Sequence, residues 1–334
     1  TIALLFGLMV VSAQFRLSGF YSHVVRRLAV MDVAPPALLG LVIMVTGTLS
    51  ALLANDIVCL AVAPVLVEWC ARRGLAPKPF LLALACAANV GSAATLIGNP
   101  QNMLIGQVLR LSFWEYLVAA GPPSLIGLGL VWWVICRLTA GRWHADSPHV
   151  EVETRPLDAW QTLKGSLVLG ALVASFLVAP WPREIAAMAG AGLLLCSRRM
   201  RSREMLGLVD WQLIVLFIAL FAVNDAVKAA GTLDLVKSGL AARGVDVAAP
   251  AWLFGLSVVL SNLVSNVPAT MLLLPSATHP LAGPVLALSS TLAGNLIVVG
   301  SIANIIVIDQ ASRLGVHITW REHARIGVPV TILT

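Results

Sequence analysis

Residues 49–64 read LSALLANDIVCLAVAP, and residues 260–275 read LSNLVSNVPATMLLLP. Each stretch is an apolar run that small and amide residues interrupt near its middle. The two runs are identical at the following matched positions: Leu49/Leu260, Ser50/Ser261, Leu52/Leu263, Asn55/Asn266 and Pro64/Pro275. A second matched pair follows, GNPQNMLI at 98–105 and GSIANIIV at 300–307. Hydrophobic segments that are duplicated and broken at corresponding places are typical of the binding site of a secondary transporter.

The composition predicts an integral membrane protein. Hydrophobic residues make up 59% of the 334 residues and charged residues only 11%, whereas a soluble domain has about half apolar and about a quarter charged residues. The apolar runs do not alternate with polar residues, which argues against β-strands. Because the bilayer core holds no water, the backbone of such a chain must pair with itself in helices. We therefore expect an all-α polytopic membrane protein.

Several other classes of protein are disfavoured. The net charge of +6 lies in short clusters between apolar runs, and this placement suits membrane topology better than nucleic-acid binding. The five cysteines and six histidines lack metal-ligand spacing, so we expect no metal site and no cofactor beyond a coupling Na⁺ or H⁺. The absence of HExxH and GxSxG motifs argues against a membrane-embedded enzyme.

The first half of the chain, residues 1–140, is predicted to hold a scaffold helix, a hairpin and a broken crossing helix. Basic residues flank the run 35–70 on both sides, so both of its ends favour the cytoplasm. An interruption at Asn55–Asp56 leaves two short halves, which predicts a re-entrant hairpin that turns near the midplane. Residues 80–109 contain small residues and Pro100 near their centre, which predicts a crossing helix broken there.

The second half, residues 165–334, is predicted to repeat this plan after a polar cytoplasmic linker at 141–164. Its hairpin is placed at 250–279 and its broken helix at 284–312. The arginine-rich stretch 197–204 and the arginines after residue 312 give this half the opposite orientation. The two halves therefore form a predicted inverted repeat.

The candidate binding residues are those at the predicted breaks. Helix N-termini that point into the membrane centre attract anions, and carbonyl ends attract cations. The substrate-binding candidates are Asn55, Ser265, Asn266, Thr270, Thr95, Asn99, Asn102, Ser301 and Asn304. The ion-coupling candidates are Asp56, Asn55, Asn89 and Asn295. The alternative for each neutral residue is that it only caps a half-helix, which requires the same residue types.

Asp56 is the one carboxylate predicted near the midplane. An ionisable side chain at this depth is costly and indicates a function, here the binding of a proton or a cation. The alternative is an N-cap carboxylate that the half-helix dipole stabilises. The matched residue in the second run is Val267, so the two halves are not chemically equivalent.

Five motifs together resemble the ion transporter superfamily. They are ANDIVCLAVAP at 54–64, ANVGSAATLIGNPQN at 88–102, VDWQLIVLFIALF at 209–221, SNVPATMLLLP at 265–275 and GSIANIIV at 300–307. The superfamily includes divalent-anion/sodium symporters, citrate permeases, arsenite permeases and sodium/proton antiporters. The chain is most similar to the bacterial anion permease branch, within the arsenite-permease-like group.

The resemblance implies a multi-pass protein of the bacterial inner membrane, usually a homodimer, in which an elevator-like transport domain moves against a scaffold. In the dicarboxylate symporters, a Ser-Asn-Thr triplet at each hairpin tip binds carboxylate and sodium. The matching triplets here are Ala54-Asn55-Asp56 and Ser265-Asn266-Val267, so the sodium and dicarboxylate sites of those symporters do not carry over intact. The Asn55-Asp56 pair is instead similar to the arsenite permease pattern, for which proton coupling is expected.

These observations predict a secondary transporter for a small anion or oxyacid, coupled to H⁺ or Na⁺. Its expected partners are the lipid bilayer and a small solute. A Na⁺/H⁺ antiporter and an arsenite or antimonite efflux permease remain open. A passive channel and a membrane-embedded enzyme are disfavoured alternatives.

Overall fold

The computed structural model describes residues 1–29, 31–145, 155–178, 181–197 and 199–334. Within these ranges the chain is helical, and its only β-type pairing is an isolated bridge between Leu75 and His144. The helices are α1 Ile2–Leu17, α2 Phe20–Ala29, α3 Pro35–Leu52, α4 Asn55–Arg72, α5 Pro77–Ser92, α6 Pro100–Val108, α7 Phe113–Thr139, α8 Ala159–Val178, α9 Arg183–Leu195, α10 Ser202–Leu206, α11 Trp211–Ala229, α12 Thr232–Ala241, α13 Pro250–Val264, α14 Asn266–Leu273, α15 Ala282–Ala293, α16 Ile302–Arg313 and α17 Trp320–Leu333.

Several helices have the length and composition of membrane spans. In the described ranges, α3, α7 and α8 are each long and apolar enough to cross a bilayer, and α1 with α2 forms a pair bent by 57° that passes the same test. Shorter apolar helices occupy Trp211–Val227, Pro250–Val264 and Ala282–Ala293. These features are those of a helical membrane protein.

Each of the four predicted segments contains a helix break, but the first break lies at Leu53–Ala54, just before the predicted Asn55–Asp56, and both of those residues belong to α4. Two residues separate α3 from α4, and Ser265 alone separates α13 from α14. Ser265 has a φ of 76°, a backbone conformation that non-glycine residues rarely adopt. Longer breaks divide α5 from α6 and α15 from α16. The order of broken pair, broken pair and single helix thus occurs twice, as α3–α7 and as α13–α17.

Local sequence accounts for several helix starts. α3, α5, α6 and α13 begin at proline, whose fixed φ suits the first helical position and whose missing N–H is not needed there. The predicted linker 141–164 is longer than the structure allows, because α8 already begins at Ala159. The Asp158 carboxylate starts this helix by accepting a hydrogen bond from the Gln161 amide at 3.0 Å. Residues 146–154 of that linker lie outside the described ranges.

Small residues allow α3 and α5 to pack with their backbones in close approach. A Cβ added to Gly91 would lie 2.3 Å from the Gly47 carbonyl oxygen and 2.4 Å from the Gly47 Cα. Both neighbouring atoms are backbone, so they cannot rotate away as a side chain would. Glycine at such contacts is how helices approach closely inside a membrane. This contact fixes the distance between the first broken pair and the second.

We therefore predict that Gly91→Ala destabilises the folded protein although alanine favours helices. Overpacking of this kind costs about 1–3 kcal/mol, and thermal unfolding in detergent should show a clear drop in Tm. The control is Gly129→Ala on the exposed side of α7, where an added Cβ meets nothing within 4 Å. Equal Tm values for the two variants would contradict the close approach of α3 and α5.

Candidate functional site

A small polar cavity lies where the interrupted helices resume. Its volume is about 30 Å³, room for one or two water-sized groups. The residues that line it are Asn55, Asp56, Asn89, Asn99, Pro100, Gln101, Ser265, Asn266, Val267, Ser301 and Ile302. The sequence predicted Asn55 and Asn266 to meet, and the structure places both on this one cavity.

Four helix N-termini converge on this cavity. α4 begins at Asn55, α6 at Pro100, α14 at Asn266 and α16 at Ile302, and all four residues line it. The first turn of a helix carries backbone N–H groups without an intrahelical partner, and its dipole places about half a positive charge there. The four ends together make a region of positive potential without any Lys or Arg in the lining. Such a region attracts an anion.

Asn99 and Ser301 are N-caps that also face the cavity. The Asn99 Oδ1 accepts a hydrogen bond from the Asn102 backbone amide at 2.9 Å, and the Ser301 Oγ accepts one from the Ala303 amide at 3.2 Å. The capping alternative is thus correct for these two residues. It does not remove them from the site, because both also line the cavity.

Asn102 and Asn304 bind backbone carbonyls at the two longer breaks. The Asn304 Nδ2 donates to the Gly294 carbonyl at 2.8 Å and to the Ile297 carbonyl at 3.2 Å. The Asn102 Nδ2 donates to three carbonyls at the end of α5 and beyond it, the nearest being that of Thr95 at 2.9 Å. Both side chains are fully buried and neither lines the cavity. Their amides therefore bind carbonyls at the end of each first half-helix and in the break that follows it.

Asn89 connects the two halves of the chain at the cavity wall. Its Nδ2 donates to Asn295 Oδ1 at 2.9 Å and to Asn304 Oδ1 at 3.2 Å. Its Oδ1 accepts from Ser301 Oγ at 2.8 Å. These three bonds are buried and join α5 to the break between α15 and α16. Asn295 belongs to this network but does not line the cavity.

The two matched asparagines at the shorter breaks differ in their bonding. The Asn266 amide, oriented so that its nitrogen donates, reaches the Ser290 carbonyl at 2.9 Å and the Gly300 carbonyl at 3.0 Å. The Asn55 side chain is 6% exposed, and its Oδ1 has no hydrogen-bond partner within the described part of the chain. A buried oxygen without a partner is costly unless a ligand or ion completes it. Asn55 is therefore the cavity residue most in need of a ligand.

Two further candidates lie away from the cavity. The Thr95 hydroxyl donates to the Ala51 carbonyl and thereby ties the loop after α5 to α3. Thr270 is fully buried on α14 and is not part of the lining.

Asp56 does line the cavity, is half-buried and occupies the first turn of α4. A carboxylate at that position interacts favourably with the helix dipole.

Four lining residues were missed in the sequence: Pro100, Gln101, Val267 and Ile302. Each occupies the first or second position of a half-helix, immediately after a predicted break residue. Gln101 is the polar one, and its Nε2 donates to Thr291 Oγ1 at 3.1 Å. Its position two residues beyond the Asn99 cap was the signal in the sequence that could have identified it.

No cluster of His, Cys, Asp and Glu suited to a metal ion occurs within the ranges that the structure describes.

The comparisons with known proteins identify this all-helical protein, with its interrupted helices around a polar cavity, as a membrane transporter. Uncharacterized transporter Rv2685 of Mycobacterium tuberculosis is 28% identical over 358 residues, which span 100% of this chain and 83% of that protein. Silicon efflux transporter LSI3 of Oryza sativa is 30% identical over 410 residues, which span 99% of this chain and 84% of that protein. Inner membrane protein YbiR of Escherichia coli is 28% identical, with coverage of 97% and 82%.

The family model described as Citrate transporter matches residues 1–285. The chain therefore belongs to the citrate transporter family, within the ion transporter superfamily that the motifs indicated.

We predict that Asn304→Leu destabilises the fold itself. The change keeps the approximate volume but leaves the Gly294 carbonyl unpaired, at about 1–3 kcal/mol for a buried group. It also removes one of the two hydrogen bonds to the Ile297 carbonyl, which keeps its bond from the Gly300 amide. Thermal unfolding of the purified protein in detergent should show a large fall in Tm. Asn224→Leu is the control, because Asn224 is partly exposed on α11 and does not line the cavity. A similar Tm for both variants would contradict the tethering role of Asn304.

Proposed function

We propose that the protein is a secondary transporter that moves a small anion or oxyacid across the membrane by alternating access, coupled to H⁺ or Na⁺. The observation that carries this proposal is the meeting of four helix N-termini at one polar cavity. Neutral amide and hydroxyl groups line it together with the backbone. Such a site binds an oxyanion without a fixed cation, so it can also release it.

The size of the cavity supports a small solute. A volume of about 30 Å³ is far below the roughly 300–1,000 Å³ of sites for drug-sized ligands. In this conformation the cavity is too small for citrate and also for an oxyacid such as arsenite, so it must widen for any substrate, and it needs to widen less for the smaller solute. Because one relative is named for silicon efflux, a neutral oxyacid remains a candidate substrate. We therefore propose an inorganic oxyanion or oxyacid, arsenite and antimonite included, in preference to a tricarboxylate.

Asp56 supplies a physical reason for coupling. It shares the cavity with the helix N-termini that would hold the anion, and two negative charges within one small cavity repel each other. Binding a proton on the carboxylate or a cation beside it removes this repulsion. Co-transport of the anion with H⁺ or Na⁺ follows from that requirement.

A second candidate, a Na⁺/H⁺ antiporter, is supported by buried oxygens close to the breaks. Asn55 Oδ1 and Ser50 Oγ in the first half, and Asn262 Oδ1 and Ser261 Oγ in the second, have no hydrogen-bond partner among the described residues. Oxygen atoms are the ligands that hard cations prefer. In this alternative, Na⁺ and H⁺ compete for Asp56 and its neighbours, and no anion is carried.

The mechanism that we propose is the movement of one domain against a scaffold. The repeated order of α3–α7 and α13–α17 supports an inverted repeat, with the helix pairs α3–α4 and α13–α14 as re-entrant hairpins. The residues that would contact the substrate are Asn55, Ser265, Asn266, Asn99 and Ser301, with Asn89 supporting them. A homodimer in a bacterial inner membrane remains part of this proposal by family analogy.

Reconstitution into proteoliposomes separates these functions. Counterflow of a radiolabelled or mass-detected oxyanion, with saturation and dependence on a pH or sodium gradient, supports the anion transporter. Sodium-driven proton movement in the absence of any oxyanion supports the antiporter. Flux that is linear in the gradient, without saturation or counterflow, identifies a passive channel and contradicts both.

We predict that Asp56→Asn uncouples transport. In the wild type, the rate of anion uptake should rise as the pH falls or as sodium is added, because either neutralises the carboxylate. The variant should bind the anion at least as well, and its rate should no longer depend on pH or sodium. Asp225→Asn, which changes an exposed carboxylate on α11, is the control and should behave as wild type. If the Asp56 variant still responds to pH and sodium, the coupling role is wrong, and the carboxylate only stabilises the start of α4.

We also predict that Asn55→Ala combined with Asn266→Ala weakens substrate binding. Asn55→Ala alone should do so with little loss of stability, because its Oδ1 has no internal partner to lose, whereas Asn266→Ala also frees the Ser290 and Gly300 carbonyls. A hydrogen bond to a charged group contributes about 1.5–3 kcal/mol, so the apparent KM should rise by more than about tenfold. Uptake kinetics in proteoliposomes and Tm in detergent are measured together, with Asn224→Ala as the control. A fall in Tm without a change in KM would remove both asparagines from the substrate site.

A further inference from the structure

A second and larger cavity opens far from the polar one. Its volume is about 540 Å³. It lies between the start of α5, the end of α7, the segment 315–317 that follows α16, and the start of α17. The first two elements belong to the first half of the chain and the others to the second. We call it the basic cavity.

The charge of the basic cavity is positive. Lys78, Arg142 and Arg325 line it, against the single carboxylate of Glu322. That carboxylate is already occupied: its Oε1 accepts from Lys78 Nζ at 2.7 Å, and its Oε2 accepts from the Thr319 backbone amide at 2.8 Å. Neither Arg142 nor Arg325 takes part in any ion pair within the described ranges. The Arg142 Nη2 donates to the Leu138 carbonyl at 2.7 Å. Both guanidinium groups are exposed and have no carboxylate partner in the described ranges, so their charge is available to an anionic ligand.

The wall beneath these charges is apolar. It is formed by Leu82 and Pro79 on α5, Leu138 on α7, Val316 in the segment after α16 and Ile326 on α17. A site with cations at one edge and aliphatic side chains below suits an amphiphile with an anionic head. A free phosphate or another small inorganic ion would leave this apolar wall in contact with water.

The surroundings place this cavity at a membrane interface. At the same end of the helix bundle, the Arg73 guanidinium lies 5.7 Å from the Trp69 ring centroid, and that of Arg137 lies 5.5 Å from Trp133. Tryptophan and arginine are enriched where a bilayer meets the cytoplasm. Basic pockets between helices on that side bind anionic lipid headgroups.

We propose that the basic cavity binds an anionic phospholipid of the cytoplasmic leaflet. The lipid phosphate would be held by Arg142 and Arg325, and its glycerol and upper acyl chain would lie on the Leu82, Leu138 and Ile326 wall. Because Arg142 follows α7 and Arg325 is on α17, the lipid would link the two halves of the chain. The Lys78–Glu322 ion pair already makes such a link beside it. The lipid would therefore stabilise the module that carries the polar cavity.

The test measures lipid retention by native mass spectrometry on the purified protein. Phosphatidylglycerol and phosphatidylethanolamine are titrated separately, and inorganic phosphate is added as a competitor. We expect phosphatidylglycerol to bind preferentially and to raise Tm. Each cation near an anionic headgroup contributes about fivefold in affinity, so R142Q with R325Q should weaken phosphatidylglycerol binding by about 30-fold.

Two further variants keep the test decisive. R137Q removes an arginine from the same end of the bundle but not from the cavity, and it should bind lipid as the wild type does. L138W fills the cavity while every charge stays, and it should also lose the bound lipid. Unchanged phosphatidylglycerol binding in R142Q/R325Q and in L138W would overturn the proposal. Complete displacement of the lipid by millimolar phosphate would also overturn it, in favour of a small-anion site.

Discussion

The structure depends on how a helix broken inside a membrane satisfies its backbone. Each break leaves carbonyls at the end of one half-helix and amides at the start of the next, and no bulk water is there to bind them. Here the two kinds of group are treated differently. At the two longer breaks, the side-chain amides of Asn102 and Asn304 bind the free carbonyls. The starts of all four following helices line the cavity. Asn99 and Ser301 each bind one backbone amide at the starts of α6 and α16, and the positive ends of the four helix dipoles remain at the cavity.

This asymmetry gives the cavity its chemistry. Four helix starts supply positive potential, and the caps Asn99 and Ser301 fix two of them. The bonds of Asn89 to Ser301, Asn295 and Asn304 hold the two halves in register, so the geometry of the cavity does not depend on one break alone. Asp56 adds the one negative charge in the lining. A site of positive potential with a single neutralisable carboxylate is suited to exchange between an anion and its coupling ion.

Much of this arrangement was predictable from sequence because breaks in apolar helices require recognisable residues. The matched runs around Asn55 and Asn266 predicted where the helices stop, and their repetition predicted that the breaks meet. The roles of Asn102 and Asn304 were not predictable, since an asparagine that binds substrate and one that binds carbonyls have the same sequence signature. The lining by Gln101 depends on the rotation of α6, and the basic cavity depends on how α17 packs against α5 and α7. Neither rotation nor packing distance is encoded in hydropathy.

The most direct test of the account is a chemical bridge between positions 55 and 266. In a background in which the five native cysteines are replaced, Asn55→Cys and Asn266→Cys are combined and treated with Hg²⁺, a single ion that two nearby thiolates hold between them. The account predicts one Hg²⁺ bound per molecule, seen by mass spectrometry together with the loss of both thiols from maleimide labelling after unfolding. The transported anion should suppress this bridge, and it should not form when Asn55→Cys is combined with Gly129→Cys instead. Two thiols that each take up their own Hg²⁺ but never share one would contradict the convergence of the helix starts on one cavity.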